Sequence, residues 1–309
     1  MSAKITFPAA ILIILMIGCK NKPELPDSVN NTGQLSGEIN ISGAWALEPL
    51  MKAWATEFTK QYPDLKIAVM ANGTGAGIKD LMDGKTGIAM ASRELLPDEE
   101  ALELWSVPVT KEGVLPIMNA SAQGVDKLMQ TGLTREKLKA VFTQDKTLTW
   151  GDLTGTEDKR VITPVTRSDE SGAEVIWARY LGCSLSEFKG VEITGDTGMI
   201  KKIRTEQTSI GFCNAHYAYD SELKSQSSGI RVLPVDLNKN GKIDAKENVY
   251  NNIESLHRAA YLGIYPSALC RNLLLVTKNK PEDRNIAEFI RWILTDGQEL
   301  AVKLGYCEI

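Results

Sequence analysis

The stretch INISGAWALEPLMKAWATEFTKQYPDLKIAVMANGTGAGIKDLMDGKTGIAMAS, residues 39–92, decides the fold. Ile39 and Ile41 alternate with Asn40 and Ser42, the two-residue period of a short strand that Gly43 closes. Leu50, Trp54 and Phe58 recur every four residues, a helix that Tyr62-Pro63 stops. Ile67 and Val69 mark a second strand, ended by Asn72-Gly73. Ile78, Leu81 and Met82 mark a short helix, ended by Asp83-Gly84, and Ile88-Ala89-Met90-Ala91 is a buried strand. Strand alternating with helix at this pace predicts an α/β fold with a mainly parallel sheet.

The same reading carries outward. Residues 107–119 (VPVTKEGVLPIMN) are β-branched and apolar enough to cross between two lobes. A helix around 133–142, a strand at 161–166, a helix from Ser171 to Leu181-Gly182 and a strand at 273–276 follow. Ile286, Phe289, Ile290 and Ile293 line one face of a closing helix. The expected organisation is two lobes joined by two crossings, with 37–116 and 265–309 forming lobe I and 117–264 forming lobe II.

The 309 residues carry 35 basic and 39 acidic side chains, with 6% aromatics. That balance offers no basic footprint for nucleic acid, and two histidines leave little room for His-based metal or proton chemistry. At the N-terminus Lys4 precedes an apolar run over 7–17, too short to span a membrane comfortably, and Gly18-Cys19 follow, as in a secretory signal. Leu15-Met16-Ile17-Gly18-Cys19 resembles a bacterial lipobox, with Met16 where Leu is usual. The resemblance implies a signal peptide over 1–18, lipid on Cys19 and a polar tether over 19–36, hence an extracytoplasmic protein anchored to a membrane but not spanning it. Cleavage removes one Lys and no acid, leaving 34 basic against 39 acidic residues, a net charge of −5. Cys183, Cys213, Cys270 and Cys307 form no C-x-x-C pair, and either disulfides or buried thiols fit their spacing.

Three segments deliver a strand end through small or hydroxyl residues into a helix start: 41–46 (ISGAWA), 72–78 (NGTGAGI) and 166–173 (TRSDESGA). Glycine lets backbone approach a ligand, and the free N–H groups and dipole of a helix N-terminus favour an anion. Neither a P-loop nor a G-x-G-x-x-G pattern is present.

In their order and spacing these segments resemble the phosphate-binding proteins that serve Pst-type ABC importers, within the type II periplasmic-binding-protein fold. The likeness also covers 73–95 (GTGAGIKDLMDGKTGIAMASREL), 209–219 (SIGFCNAHYAY) and 289–309 (FIRWILTDGQELAVKLGYCEI), and so nearly the whole mature chain. It implies a monomer that binds phosphate or a similar oxyanion, hands it to an ABC permease and catalyses nothing. It also implies a ligand set. Thr74 supplies a hydroxyl and N–H, Arg167 a charge that Asp169 steadies, and Ser171, Gly172 and Ala173 helix-start donors, with Ser92 ending a pocket strand. Ala44, Trp45 and Ala46 stand where relatives often carry hydroxyls, and Ala173 where they carry Thr. Ser92 stands where some keep an aspartate. Trp45 is either core packing or a wall beside the ligand.

DLNKNGKIDAKE, residues 236–247, fits the twelve-residue EF-hand pattern. Asp236, Asn238 and Asn240 offer oxygens at positions 1, 3 and 5, Gly241 the sharp turn, Lys242 its carbonyl, Asp244 position 9 and Glu247 a bidentate closure. A structural Ca2+ is expected there. Two other classes stand beside this one. An enzyme needs a nucleophile or metal cluster, yet His216 and His257 lie apart from any Ser or Cys motif. A surface-anchored, calcium-stabilised module that senses another anion or binds a protein partner is the alternative to transport.

Overall fold

The computed structural model describes residues 34–309 apart from Asp145, Ser221 and Lys224. Cys19, the signal and most of the tether lie outside the described residues. No helix among the described residues is long and apolar enough to cross a membrane.

Nine strands form one curled mixed sheet: β1 Gly37–Gly43, β2 Leu65–Ala71, β3 Ile88–Ala91, β4 Trp105–Asn119, β5 Thr163–Arg167, β6 Val191–Ile193, β7 Ser209–Asn214, β8 Ile230–Val232 and β9 Cys270–Thr277. Their order is β2-β1-β3-β9-β4-β7-β5-β6, with β8 also on β4. Pairing is parallel on the two wings, β2-β1-β3 and β7-β5-β6. It is antiparallel where β9 and β4 run through the middle. The sheet is therefore parallel only within each wing, because the connecting strands return against their neighbours. β4 has 15 residues, about 45–50 Å of extended chain. That length lets one strand serve both lobes. Pro108 cannot donate to the ladder, and the register against β9 slips between Pro108 and Thr110, a bulge at the lobe I end.

Two main cores flank the crossing. One gathers Ile39, Ile41, Leu50, Trp54, Phe58, Leu275 and Phe289, and the other Val114, Phe142, Trp150, Trp177, Phe212 and Leu269. Each such side chain contributes roughly 1.5–3 kcal/mol on burial. The helix Glu48–Gln61 starts with Pro49 in its first turn and buries Leu50, Trp54 and Phe58 on one stripe. Trp54 Nε1 donates to Gly297 O at 2.7 Å, fastening that helix to the C-terminal segment. Gly77 lies so close to β1 that a Cβ would stand 2.5 Å from the Gly43 Cα, so the helix Thr74–Met82 meets the strand end without a spacer. Cys183, Cys213, Cys270 and Cys307 are all free thiols, with Cys213 buried.

Candidate functional site

The strand ends of the two wings meet where the two lobes touch. From lobe I, β3 leads into Ser92 and the helix Thr74–Met82 starts beside it. Thr74 is fully buried, and its Oγ1 accepts from Ser92 N at 3.1 Å and lies 3.4 Å from Ser92 Oγ. As at any helix start, the N–H groups of Thr74, Gly75 and Ala76 have no intrahelical acceptor. From lobe II, β5 delivers Arg167, and Ser171 caps the helix Gly172–Leu181 by accepting from Glu174 N. The two helix N-termini converge. A Cβ on Gly172 would collide with Ser92 Oγ, one on Gly73 would lie 2.9 Å from Asp169 O, and Glu170 reaches over Gly75. Thr74, Ser92, Ser171, Gly172 and Ala173 are thus gathered at one place, where Ala173 turns its methyl into the lobe II core.

Arg167 lies at the heart of a buried charge network. Its Nε and Nη2 hold Asp169 bidentately at 2.8 and 2.7 Å, and its Nη1 donates to Asp196 Oδ2 at 3.0 Å. Burial works against the guanidinium charge, but Asp196 and Asp169 more than offset it and hold its pKa above the ordinary range. Asp196 also accepts from Asn214 N and Nδ2, at 2.8 and 2.6 Å. Asn214 Oδ1 in turn accepts from Arg271 Nη2, while Arg271 Nε donates to Ser92 O at 3.0 Å. Asp196, Asn214 and Arg271 were not anticipated from the sequence. Asp196 follows a Thr-Gly helix start and Asn214 closes a buried strand, and either pattern is common away from ligands.

Carboxyls nearby are tuned by burial. Glu174 is pushed up to about 7 by burial, against the pull of the Arg167 N–H and charge. Glu112 on β4 is pushed up to about 8 by burial, against the Arg271 charge and the His216 N–H, which reaches it at 2.7 Å. Burial lowers His216 and His257 to about 4, and the His216 ring stacks on Tyr306 at 4.6 Å.

The first turn contributes differently. Ala44 and Ala46 belong to the lobe I core, and the Ala44 N–H is spent on Met90 O at 2.8 Å. Trp45 wedges between the lobes. Its ring lies against Gly195, where a Cβ would come within 2.8 Å, and its carbonyl accepts from Tyr217 Oη at 3.1 Å. It is therefore a contact of the cleft rim.

The loop 236–247 turns at Lys239 and Gly241, both with positive φ. Asp236 accepts from Asn240 N and Gly241 N, and Glu247 from Leu237 N, Asn238 N and Asp244 N. Asn238 and Asn240 donate their amides to Asp244. Lys242 Nζ pairs with Asp244 at 3.1 Å. Ile243 N donates to Gln130 O, tying the loop to lobe II. Among the described residues no three His, Cys, Asp or Glu side chains are grouped to hold a metal ion. The donor types suit a hard cation, but in this arrangement the carboxylates face N–H groups.

The sequence profile of the PBP superfamily domain matches residues 28–297, and the chain belongs to that superfamily. Among curated relatives, the phosphate-binding protein PstS of Bacillus subtilis is 26% identical over 71% of this chain and 72% of its own. PstS of Pseudomonas aeruginosa is 24% identical over 98% and 93%. A Vibrio cholerae structure described as an ABC-type phosphate transport receptor superposes with a TM-score of 0.63 at 22% identity, covering 88% of this chain and 100% of that one. A Clostridium perfringens structure described as a phosphate ABC transporter substrate-binding protein with bound phosphate gives 0.72 at 23%, with the same coverage. At these identities the structures establish a shared fold.

Proposed function

We propose that this chain is the solute receptor of an ABC importer and that its cleft captures an oxyanion, phosphate foremost. The observation that carries the reading is the meeting of two helix N-termini from opposite lobes at Ser92. Their N–H groups and dipoles favour an anion, and hydroxyls of Thr74, Ser92 and Ser171 complete a set that binds without cleaving any bond. The names of the PstS relatives support phosphate as the solute. Isothermal titration of the protein with inorganic phosphate and with sulfate tests it. Saturable heat with phosphate is expected, and none with phosphate alongside a clear response to another solute sinks it.

The lipobox-like segment supports an anchor at Cys19 on the outer side of a bacterial membrane. Cys19→Ser is then expected to move the protein from the membrane fraction to the soluble one. The complete EF-hand spacing supports a structural Ca2+ in the loop 236–247, held after the Asn amides rotate their oxygens inward. Calcium added to chelator-treated protein should raise Tm by several degrees. An unchanged Tm rejects the site.

A further inference from the structure

Arg271, second residue of β9, lies where the lobes meet, between Ser92 just after β3 and Asn214 at the end of β7. Its Nε donates to Ser92 O, which belongs to lobe I, and its Nη2 to Asn214 Oδ1, which belongs to lobe II. The guanidinium is therefore held in plane from both sides. The residue is 7% exposed, and its Nη1 has no hydrogen-bond partner among the described residues.

Its charge lacks a counterpart as well. Arg167 is bound by two aspartates, whereas Arg271 has no carboxylate within ion-pair distance among the described residues. Glu112 stands directly opposite in the β4–β9 ladder, yet makes no ion pair with it, and burial pushes its carboxyl up to about 8. Asp196 is spent on Arg167 and Asn214. A buried cation with a spare N–H is stabilised by an anion that reaches it, and a desolvated Arg–oxyanion contact is among the stronger hydrogen bonds.

We propose that Arg271 is an anion-binding residue of this cleft, whose Nη1 donates to the captured oxyanion and supplies the positive charge that Arg167, neutralised by Asp169 and Asp196, does not. The inference rests on the oxyanion reading of the same site. Because the other two donors hold Ser92 and Asn214, capture at Nη1 links the solute to both lobes at once.

Thermal melts of the wild type, Arg271→Lys and Arg271→Met in oxyanion-free buffer, each with inorganic phosphate and separately with sulfate, test this. The anion-induced rise in Tm should vanish in Arg271→Met, read against that variant's own anion-free melt, since Met also removes the hydrogen bonds to Ser92 O and Asn214 Oδ1. Arg271→Lys keeps the charge but not the planar fork, and should bind at least about tenfold more weakly. An Arg271→Met protein whose response stays within about threefold of wild type overturns the proposal. Should that variant not fold, undiminished binding by Arg271→Lys does the same. A wild type that answers sulfate but not phosphate retires the phosphate reading, while loss of the sulfate response in Arg271→Met still supports Arg271. A wild type that answers neither anion overturns both.

Discussion

Arg167 and Glu112 show how burial assigns different work to charged residues a few strands apart. The Arg167 side chain is fully buried, yet Asp169 and Asp196 hold its charge. Removing one partner from such a buried set typically costs about 3–5 kcal/mol, because the rest is left unpaired. Glu112 has no such partner, and its carboxyl rises from 4.5 to about 8. An acid whose folded pKa lies above its unfolded value stabilises the fold fully below the unfolded value. It loses that contribution as pH climbs toward the folded one. Between pH 4.5 and 8 the folded chain holds the extra proton, so stability should fall with rising pH, by an amount on the order of 3–5 kcal/mol for this group. Glu112→Gln should flatten that decline in urea denaturation series at pH 5, 6.5 and 8. A slope identical to wild type would show that Glu112 is not the group responsible.

At the scale of elements, the strands and helices around the cleft were legible because each is local. Ile88-Ala89-Met90-Ala91 is β3 to the residue, and Ser171 is the N-cap that its position before an apolar helix predicts. Asp169 steadies Arg167 as the resemblance implied. What could not be read locally is what the sheet brings together. Arg271 lies 179 residues from Ser92 and 57 from Asn214, and only the antiparallel return of β9 sets them side by side. A lone arginine at a strand start carries no periodic signal. The first turn shows the same limit of local reading. Its residues match a ligand segment in order, but Ala44 and Ala46 pack into the core, and Trp45 braces Gly195. Gly172 tests the convergence of the two helices. A single methyl there collides with Ser92, so Gly172→Ala should hold the lobes apart and weaken anion binding by at least about tenfold. The same collision should lower the unliganded melting temperature as well, because backbone atoms of Ser92 stand 2.8 and 2.9 Å from the added methyl. Unchanged affinity in titration would mean that the helix starts do not close on the solute.

Over the whole molecule, the proposed reading has an acidic chain with a net charge of −4 capture an anion. Long-range repulsion is screened within about 8 Å at physiological salt, and the cleft relies on oriented N–H groups and a buried guanidinium, so net charge does not decide binding. β4 runs through both lobes, and the polar chain from Ser92 through Arg271, Asn214 and Asp196 to Arg167 crosses between them. A solute at that chain would join the lobes through contacts that neither lobe makes alone. The most direct measurement is a crystal structure of the protein grown at saturating inorganic phosphate. A tetrahedral anion is expected between the first turns of the helices Thr74–Met82 and Gly172–Leu181, within hydrogen-bond distance of Ser92 and the Gly172 N–H. Phosphate bound anywhere else, or a cleft without an anion at that concentration, would contradict this expectation.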